Sequence, residues 1–176
     1  SVRTGLFERI NREIDHHRNG RPAGIRIKAN SLVDEATTDA LYLASQAGVG
    51  VEMIVRGICA LRPGVPGLSE NIKVRSVVGR FLEHSRVYWF ENGGQPSVWI
   101  GSADLMHRNL DRRVEVLVQL PSEENVAQLA DLLDLAFADS TYAWELGPDG
   151  EWAPNSGSDH LQEVLIDRQR RPRVVP

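Results

Sequence analysis

The residue types best suited to chemistry on a phosphate group occur in two short clusters, one with His84 and Arg86 and the other with Ser102 and Asp104. A neutral imidazole can take or give a proton, and a guanidinium offers paired planar donors to phosphate oxygens. Gly101, before the serine, lets backbone N–H groups approach a ligand closely. These clusters predict a phosphate-handling site if the fold brings them together.

A β-hairpin between the two clusters would bring them together. The segments Val87–Phe90 and Val98–Ile100 are rich in β-branched and aromatic residues. The six residues between them contain Asn-Gly and Gly-Gly pairs, which supply the positive φ angles of a hairpin turn. If the turn is centred near Gly93, antiparallel pairing places His84 beside Ser102.

This spacing resembles a half-motif of the phospholipase D superfamily, His-x-Lys-x-x-x-x-Asp followed by Gly-Ser-x-Asn, with Arg86, Glu91 and Asp104 at the altered positions. Longer segments resemble the C-terminal catalytic domain of bacterial polyphosphate kinase of the first type, which has the phospholipase D fold. The resemblance covers roughly residues 6–152, although Leu105 stands where the family has tryptophan. It is carried by Ile25–Asp34, Leu41–Val49, Ile54–Ile72, Gly79–Phe90 and Gly101–Val116.

The resemblance implies reversible transfer of the terminal phosphate of ATP to polyphosphate, through a phosphohistidine and with magnesium. In the family, the phosphohistidine and the arginines associated with magnesium lie in the preceding domain, so we expect no metal ligands in residues 1–176. The expected partners are ATP or ADP, polyphosphate and the preceding domains of a longer parent, which we expect to be a homo-oligomer. We therefore interpret this sequence as one domain of a multidomain enzyme, and expect the isolated chain to be inactive.

Two residues match functional positions of the family directly. Arg56, in Val-Arg-Gly-Ile-Cys, matches the family arginine that contacts nucleotide, and His84, in Leu-Glu-His-Ser-Arg, matches its second essential histidine. We assign His84 as the catalytic residue, either exchanging a proton or contacting phosphate. We expect Arg56 to bind nucleotide phosphate by paired hydrogen bonds. Position alone adds Arg86, Ser102 and Arg112 as further phosphate-binding candidates.

Three other interpretations stay open. The chain could be a phospholipase D-like phosphodiesterase that uses His84 as its nucleophile after dimerisation. It could also be a non-catalytic module that binds polyphosphate within its parent. Finally, the three arginines Arg108, Arg112 and Arg113 could line a groove for a phosphate chain together with Arg56 and Arg86. They could instead form a structural ion-pair network, since acidic residues lie close by in sequence: Glu83, Asp104, Asp111 and Glu115.

The composition is that of an ordinary globular domain, with 176 residues, 41% hydrophobic and 25% charged. A net charge of −4 argues against nucleic acid as the main partner. The single cysteine, Cys59, excludes an internal disulfide and fits a reducing compartment. No apolar run is long enough to cross a membrane, so we expect a cytoplasmic location and leave open a membrane association of the parent. The basic tail 168–176 is interpreted as a solvated terminus rather than a nucleic-acid arm.

The elements that position the site begin with an amphipathic helix over residues 4–18 and a strand around Ile25 and Ile27. A capping box formed by Ser31 and Asp34 predicts a helix through Ala47, and residues 49–55 predict a second strand. This order favours parallel strands in a βαβ unit. Because ligands bind at the carboxyl ends of such strands, the residues expected at one rim are Lys28, Asn30 and Arg56.

The later part of the sequence completes the predicted sheet and its helical layers. A third strand is expected over residues 72–78 and another over 114–120, followed by a helix over 122–138 whose leucines form one apolar face. A last hairpin over residues 143–152 and a helix over 160–169 end the pattern. The predicted fold class is therefore α/β, a phospholipase D-like mixed sheet flanked by helices in a single domain.

Overall fold

A computed structural model describes residues 1–170 and contains an eight-stranded mixed sheet between helices. The helices are α1 (Val2–Arg18), α2 (Glu35–Gln46), α3 (Glu123–Phe137) and α4 (Leu161–Arg170). The strands are β1 (Gly24–Ala29), β2 (Gly50–Val55), β3 (Ile72–Ser76), β4 (Val87–Phe90), β5 (Ser97–Gly101), β6 (Leu117–Gln119), β7 (Trp144–Leu146) and β8 (Trp152–Pro154). Most of the basic tail lies outside the described residues.

The centre of the sheet is parallel and both of its sides are antiparallel. Strands run in the order β6-β5-β4-β1-β2-β3-β7-β8. The β1 and β2 strands pair in parallel, as the βαβ pattern predicts, and β3 pairs in parallel with β2. The β4 strand pairs antiparallel with β1 and with β5, and the β7–β8 hairpin pairs with β3. Consequently the carboxyl ends of β1, β2 and β5 lie at the same edge of the sheet as the beginning of β4.

Apolar side chains cover both faces of the sheet, which is why helices pack on both. Tyr88 and Phe90 belong to the core beneath α1 and α2, whereas Val87 and Trp89 belong to the core beneath α3 and α4. This alternation follows from the two-residue period of a strand. It confirms the predicted mixed sheet flanked by helices.

The β4–β5 hairpin forms as predicted, but its register differs by one residue from the expected one. Val87 pairs with Ile100 and Phe90 with Ser97, so the turn is centred between Gly93 and Gly94. Both glycines have positive φ angles, 71° and 92°. The continued register therefore places His84 opposite Ala103 rather than Ser102, because a six-residue turn has its centre between two residues.

The start of α2 also differs from the sequence expectation. Asp34, not Ser31, is the N-cap, because its side chain accepts hydrogen bonds from the backbone N (2.9 Å) and Oγ1 (2.7 Å) of Thr37. The chain before it is still extended, since Leu32 forms parallel bridges with Cys59 and Leu105. Ser31 thus lies too early to cap the helix.

A buried carboxylate joins α1 to the sheet, and nothing in the sequence pattern pointed to it. Glu13 is fully buried on α1. Its carboxylate accepts the backbone N–H of Gly24 (2.9 Å) and of Asn92 (2.8 Å), at the start of β1 and in the hairpin turn. Burial raises the pKa of Glu13 despite these two hydrogen bonds.

None of the helices in the described part of the chain is long and apolar enough to cross a membrane.

Candidate phosphate-binding site

A cavity of about 450 Å³ opens at the edge of the sheet where β1, β2 and β5 end and β4 begins. Four of the predicted site residues line it: Arg56, His84, Arg86 and Ser102. Its other lining residues are Asn30, Ser31, Asp104, Met106, Arg108, Asn109, Arg113 and Glu115. The hairpin therefore brings the two predicted clusters into one cavity in spite of the changed register.

Arg86 is held by a carboxylate on the cavity wall. Its Nη2 lies 2.9 Å from Oδ2 of Asp104 and its Nε lies 3.3 Å from Oδ1. Asp104 also accepts the backbone N–H of Asn30 at 2.7 Å. Burial tends to raise the pKa of Asp104, but the hydrogen bonds from Arg86 and Asn30 outweigh it and lower the pKa below its ordinary value.

Arg86 in turn determines which nitrogen of His84 carries the proton. Its Nη1 lies 2.9 Å from Nδ1 of His84 and donates to the His84 carbonyl oxygen at the same distance. Because a guanidinium is only a donor, Nδ1 is the acceptor, and the proton of the neutral ring is on Nε2. His84 is exposed, so Nε2–H is available as a hydrogen-bond donor to a ligand.

Three further arginines of the cavity have no acidic partner in the described part of the chain. Within residues 1–170, no hydrogen bond or ion pair involves the guanidinium of Arg56, Arg108 or Arg113. Arg56 follows β2. Arg108 begins a single wide helical turn, Arg108–Arg112, and Arg113 directly follows that turn. Four arginines and two carboxylates line the cavity, so its charge is positive.

Arg112 does not line the cavity, although its neighbour Arg113 does. The helical turn ends at Arg112, and Arg113 takes an extended conformation with φ −107° and ψ 155°. The change of backbone conformation between these residues separates their side chains. Sequence position had favoured Arg112, and the arginines that line the cavity from this segment are Arg108 and Arg113.

The hydroxyl of Ser102 is hydrogen-bonded to the carboxylate of Glu115, a residue that the sequence had indicated only as an ion-pair candidate. Its Oγ donates to Glu115, and Nδ2 of Asn109 donates to the same carboxylate at 2.7 Å. The hydrogen bond from Ser102 and that from Asn109 lower the pKa of Glu115. The serine hydroxyl is therefore a fixed part of the cavity wall.

Some expected rim and motif residues lie elsewhere. Lys28 is buried and forms an ion pair with Glu83 (2.9 Å), so it is not at the rim, whereas Asn30 is. Glu91, at the motif's acidic position, accepts from Trp89 Nε1 (3.3 Å) beside the hairpin turn and does not line the cavity. Leu105, which stands where the family has tryptophan, is fully buried in the core.

One cluster outside the cavity has the ligand types of a metal site. Asp34, His107 and Asp111 bring one ligand atom each within 4.8 Å of the others. The guanidinium of Arg3 already binds both carboxylates, with Nη1 2.8 Å from Asp34 and Nε 2.7 Å from Asp111. The positively charged guanidinium of Arg3 therefore occupies the place where a metal ion would bind.

The fold is that of the phospholipase D class. The phospholipase D family member Nuc from Salmonella typhimurium is similar over 74% of this chain and 83% of its own, with a TM-score of 0.53 and 18% identity. NucT from Helicobacter pylori is similar over 73% of this chain, with a TM-score of 0.52 and 14% identity. At these identities the likeness concerns the fold alone.

The family is more specific than the fold. A sequence model of polyphosphate kinase C-terminal domain 2 matches residues 1–164, and the chain belongs to this family. Polyphosphate kinase from Streptomyces coelicolor is 62% identical over 98% of this chain, and that from Mycobacterium tuberculosis 53% identical over 97%. The crystal structure of polyphosphate kinase from Porphyromonas gingivalis has a TM-score of 0.89, at 32% identity over 95% of this chain and 26% of that one. The chain spans about a quarter of the length of these relatives.

Proposed function

We propose that this chain is the C-terminal catalytic part of a polyphosphate kinase that transfers the terminal phosphate of ATP reversibly to polyphosphate. The observation that carries the proposal is the open cavity that the exposed imidazole of His84 shares with three guanidinium groups, from Arg56, Arg108 and Arg113, which have no partner among residues 1–170. Membership of the polyphosphate kinase family supports it.

Phosphoryl transfer depends mainly on positioning and on neutralising the charge of the phosphate oxygens. The unpaired guanidinium groups would bind those oxygens through planar paired donors. The Nε2–H of the neutral His84 ring would donate a hydrogen bond to a phosphate oxygen and would keep its proton in both directions of the reaction. Asp104 and Glu115 fix Arg86, Ser102 and the cavity wall rather than contacting phosphate.

The residues of this cavity do not fit a resident magnesium ion. Magnesium prefers carboxylate and water oxygens, but Arg86, Asn30, Ser102 and Asn109 already bind the two carboxylates of the cavity. We therefore assign no residue of this chain as a magnesium ligand. In the proposed enzyme, both magnesium binding and the phosphohistidine belong to other parts of a longer polypeptide.

A chimera tests this proposal. Residues 1–164 would replace the matching quarter of the Streptomyces coelicolor enzyme, and polyphosphate formed from ATP would be measured by gel electrophoresis. We expect the chimera to make polyphosphate, its Arg56→Ala and His84→Ala variants to lose at least tenfold in rate, and the 176-residue chain alone to be inactive. A folded but inactive chimera would contradict the proposal, as would sustained synthesis by the isolated chain.

Phosphodiester hydrolysis, the alternative enzyme activity, has less support. Arg86, at the lysine position of the superfamily motif, is bound to Asp104, and Glu91, at its acidic position, does not line the cavity. Cleavage of bis(p-nitrophenyl) phosphate by the chain, lost in His84→Ala, would favour that activity instead.

A further inference from the structure

The segment that carries His84 belongs to no helix or strand. Residues 77–86 connect β3 to β4 without regular backbone pairing. Val77, at its start, is buried in the core, but the apolar side chains nearer to His84 are not, since Phe81 is 56% exposed and Leu82 72% exposed. Polar contacts must therefore hold His84 at the cavity, and the hydrogen bonds from Arg86 to its ring and its carbonyl oxygen are two of them.

Gln162, on helix α4, binds the backbone of this segment like a neighbouring strand. Its Oε1 accepts the N–H of Phe81 at 2.7 Å, and its Nε2 donates to the carbonyl of Phe81 at 2.8 Å and to Oε1 of Glu83 at 2.7 Å. Gly79 makes this approach possible, because a Cβ at that position would lie 2.4 Å from the Gln162 amide. The side chain of Gln162 is almost completely buried.

Lys28, on β1, binds the residues on both sides of His84. Its Nζ lies 2.9 Å from Oε2 of Glu83 and 2.8 Å from Oγ of Ser85. The ammonium is buried, with 4% of the side chain exposed. Glu83 thus accepts from Gln162 with one oxygen and from Lys28 with the other. Burial tends to raise the pKa of Glu83, but these two donors outweigh it and lower the pKa below its ordinary value.

We propose that Lys28 and Gln162 are positioning residues that hold His84 at the phosphate cavity, by fixing Phe81, Glu83 and Ser85 through partly buried hydrogen bonds. That His84 acts on phosphate rests on the proposed function. That Lys28 and Gln162 fix the position of His84 is independent of the proposed function. The inference also gives the C-terminal helix α4 a role in the site although, among the described residues, none of α4 lines the cavity.

The test combines two measurements on the 176-residue chain. The variants are Gln162→Met and Lys28→Met, which remove the polar groups but keep long side chains. The matched controls are Gln169→Met, exposed on the same helix, and Lys73→Met, exposed on β3. Circular dichroism verifies that every variant is folded.

The first measurement needs no ligand. Amide hydrogen exchange at Phe81 and the ring nitrogen shifts of His84 are followed by NMR. We expect exchange at Phe81 to be roughly tenfold faster in Gln162→Met, because its hydrogen-bond acceptor is lost. We expect the ring nitrogen shifts of His84 to change in both test variants, because the segment that carries the ring is no longer fixed, and to stay unchanged in both controls. Unchanged exchange and ring shifts in both test variants would overturn the inference.

The second measurement is tripolyphosphate affinity by calorimetry in a double-mutant cycle with His84→Ala. We expect Gln162→Met and Lys28→Met each to weaken binding by roughly fivefold to tenfold when His84 is present, and to have no further effect when it is alanine. Equal losses in both backgrounds would mean a merely structural role and would overturn the inference. If the unmodified chain does not bind tripolyphosphate, the proposed function fails, and the ligand-free measurement still decides whether these residues position His84.

Discussion

Replacing Asp104 with asparagine should destabilise the protein and at the same time strengthen its binding of anions. Both oxygens of the Asp104 carboxylate face only donors, from Arg86 and Asn30. Asparagine has nearly the same shape, but its NH2 group must point at one of these donors whichever way the amide is turned. The substitution therefore removes the ion pair and sets two donors against each other.

The magnitude follows from the exposure of the pair. Breaking a fully buried ion pair by removing one partner costs about 3–5 kcal/mol. The side chains of Arg86 and Asp104 are 14% and 9% exposed, and one oxygen acceptor remains, so we expect about 2 kcal/mol. For a chain of this length, that lowers Tm by about 4–8 °C.

The effect on binding has the opposite sign. Asp104→Asn removes one negative charge from the cavity, which raises the net charge of the cavity by one unit, and releases Arg86. A unit charge about 4 Å from a phosphate oxygen contributes about 1 kcal/mol even in water, which corresponds to about fivefold tighter binding of tripolyphosphate.

The assays are thermal unfolding followed by circular dichroism and calorimetric titration with tripolyphosphate. The matched control is Asp131→Asn, because Asp131 is exposed on α3 and its substitution should change stability by less than about 0.5 kcal/mol. If Asp104→Asn were as stable as the control, or bound tripolyphosphate more weakly than the unmodified chain, the account of the Arg86–Asp104 pair would be refuted.

Three further predictions concern the frame around the site. Glu13→Ala should cost about 2–4 kcal/mol in urea unfolding because it leaves two buried N–H groups without acceptors, and a loss below about 1 kcal/mol would contradict this. Burial tends to raise the pKa of Asp34, but hydrogen bonds, chiefly from Arg3, lower it to about 2. The contribution of Asp34 to the free energy of unfolding should therefore be present above about pH 4 and lost between about pH 4 and 2. Urea unfolding across this range should show that slope, and Arg3→Met should reduce it. Gly101→Ala should lower Tm strongly, because its Cβ would lie 2.0 Å from the backbone oxygen of Val116, and an unchanged Tm would refute the close approach.

Local patterns were sufficient to predict most of the architecture. The alternation of Val87–Phe90 and the Asn-Gly pair predicted the hairpin, and the strand–helix–strand order after Gly24 predicted the parallel centre of the sheet. Both depend on residues near one another in sequence. The cavity lining could likewise be predicted for Arg56 and His84, because Arg56 directly follows β2 and His84 lies shortly before β4, at the same edge of the sheet.

Features that depend on distant contacts could not be predicted in the same way. Whether Lys28 lies at the rim or is buried depends on Glu83, which reaches it from a segment without regular structure. The burial of Glu13 depends on two backbone N–H groups from other elements. Gln162 had no pattern to mark it, since its three hydrogen bonds join α4 to a segment about 80 residues earlier.

The central claim is that this chain carries a preformed site for phosphate chains, and calorimetric binding of ATP and tripolyphosphate at two salt concentrations tests it most directly. The variant is Arg56→Ala, and the control is Arg18→Ala, an exposed arginine at the end of α1 that does not line the cavity. We expect both ligands to bind the unmodified chain and the control, more weakly at higher salt, and binding to fall at least tenfold in Arg56→Ala. Equal affinities in Arg56→Ala and the control, or no binding to the unmodified chain, would contradict the claim.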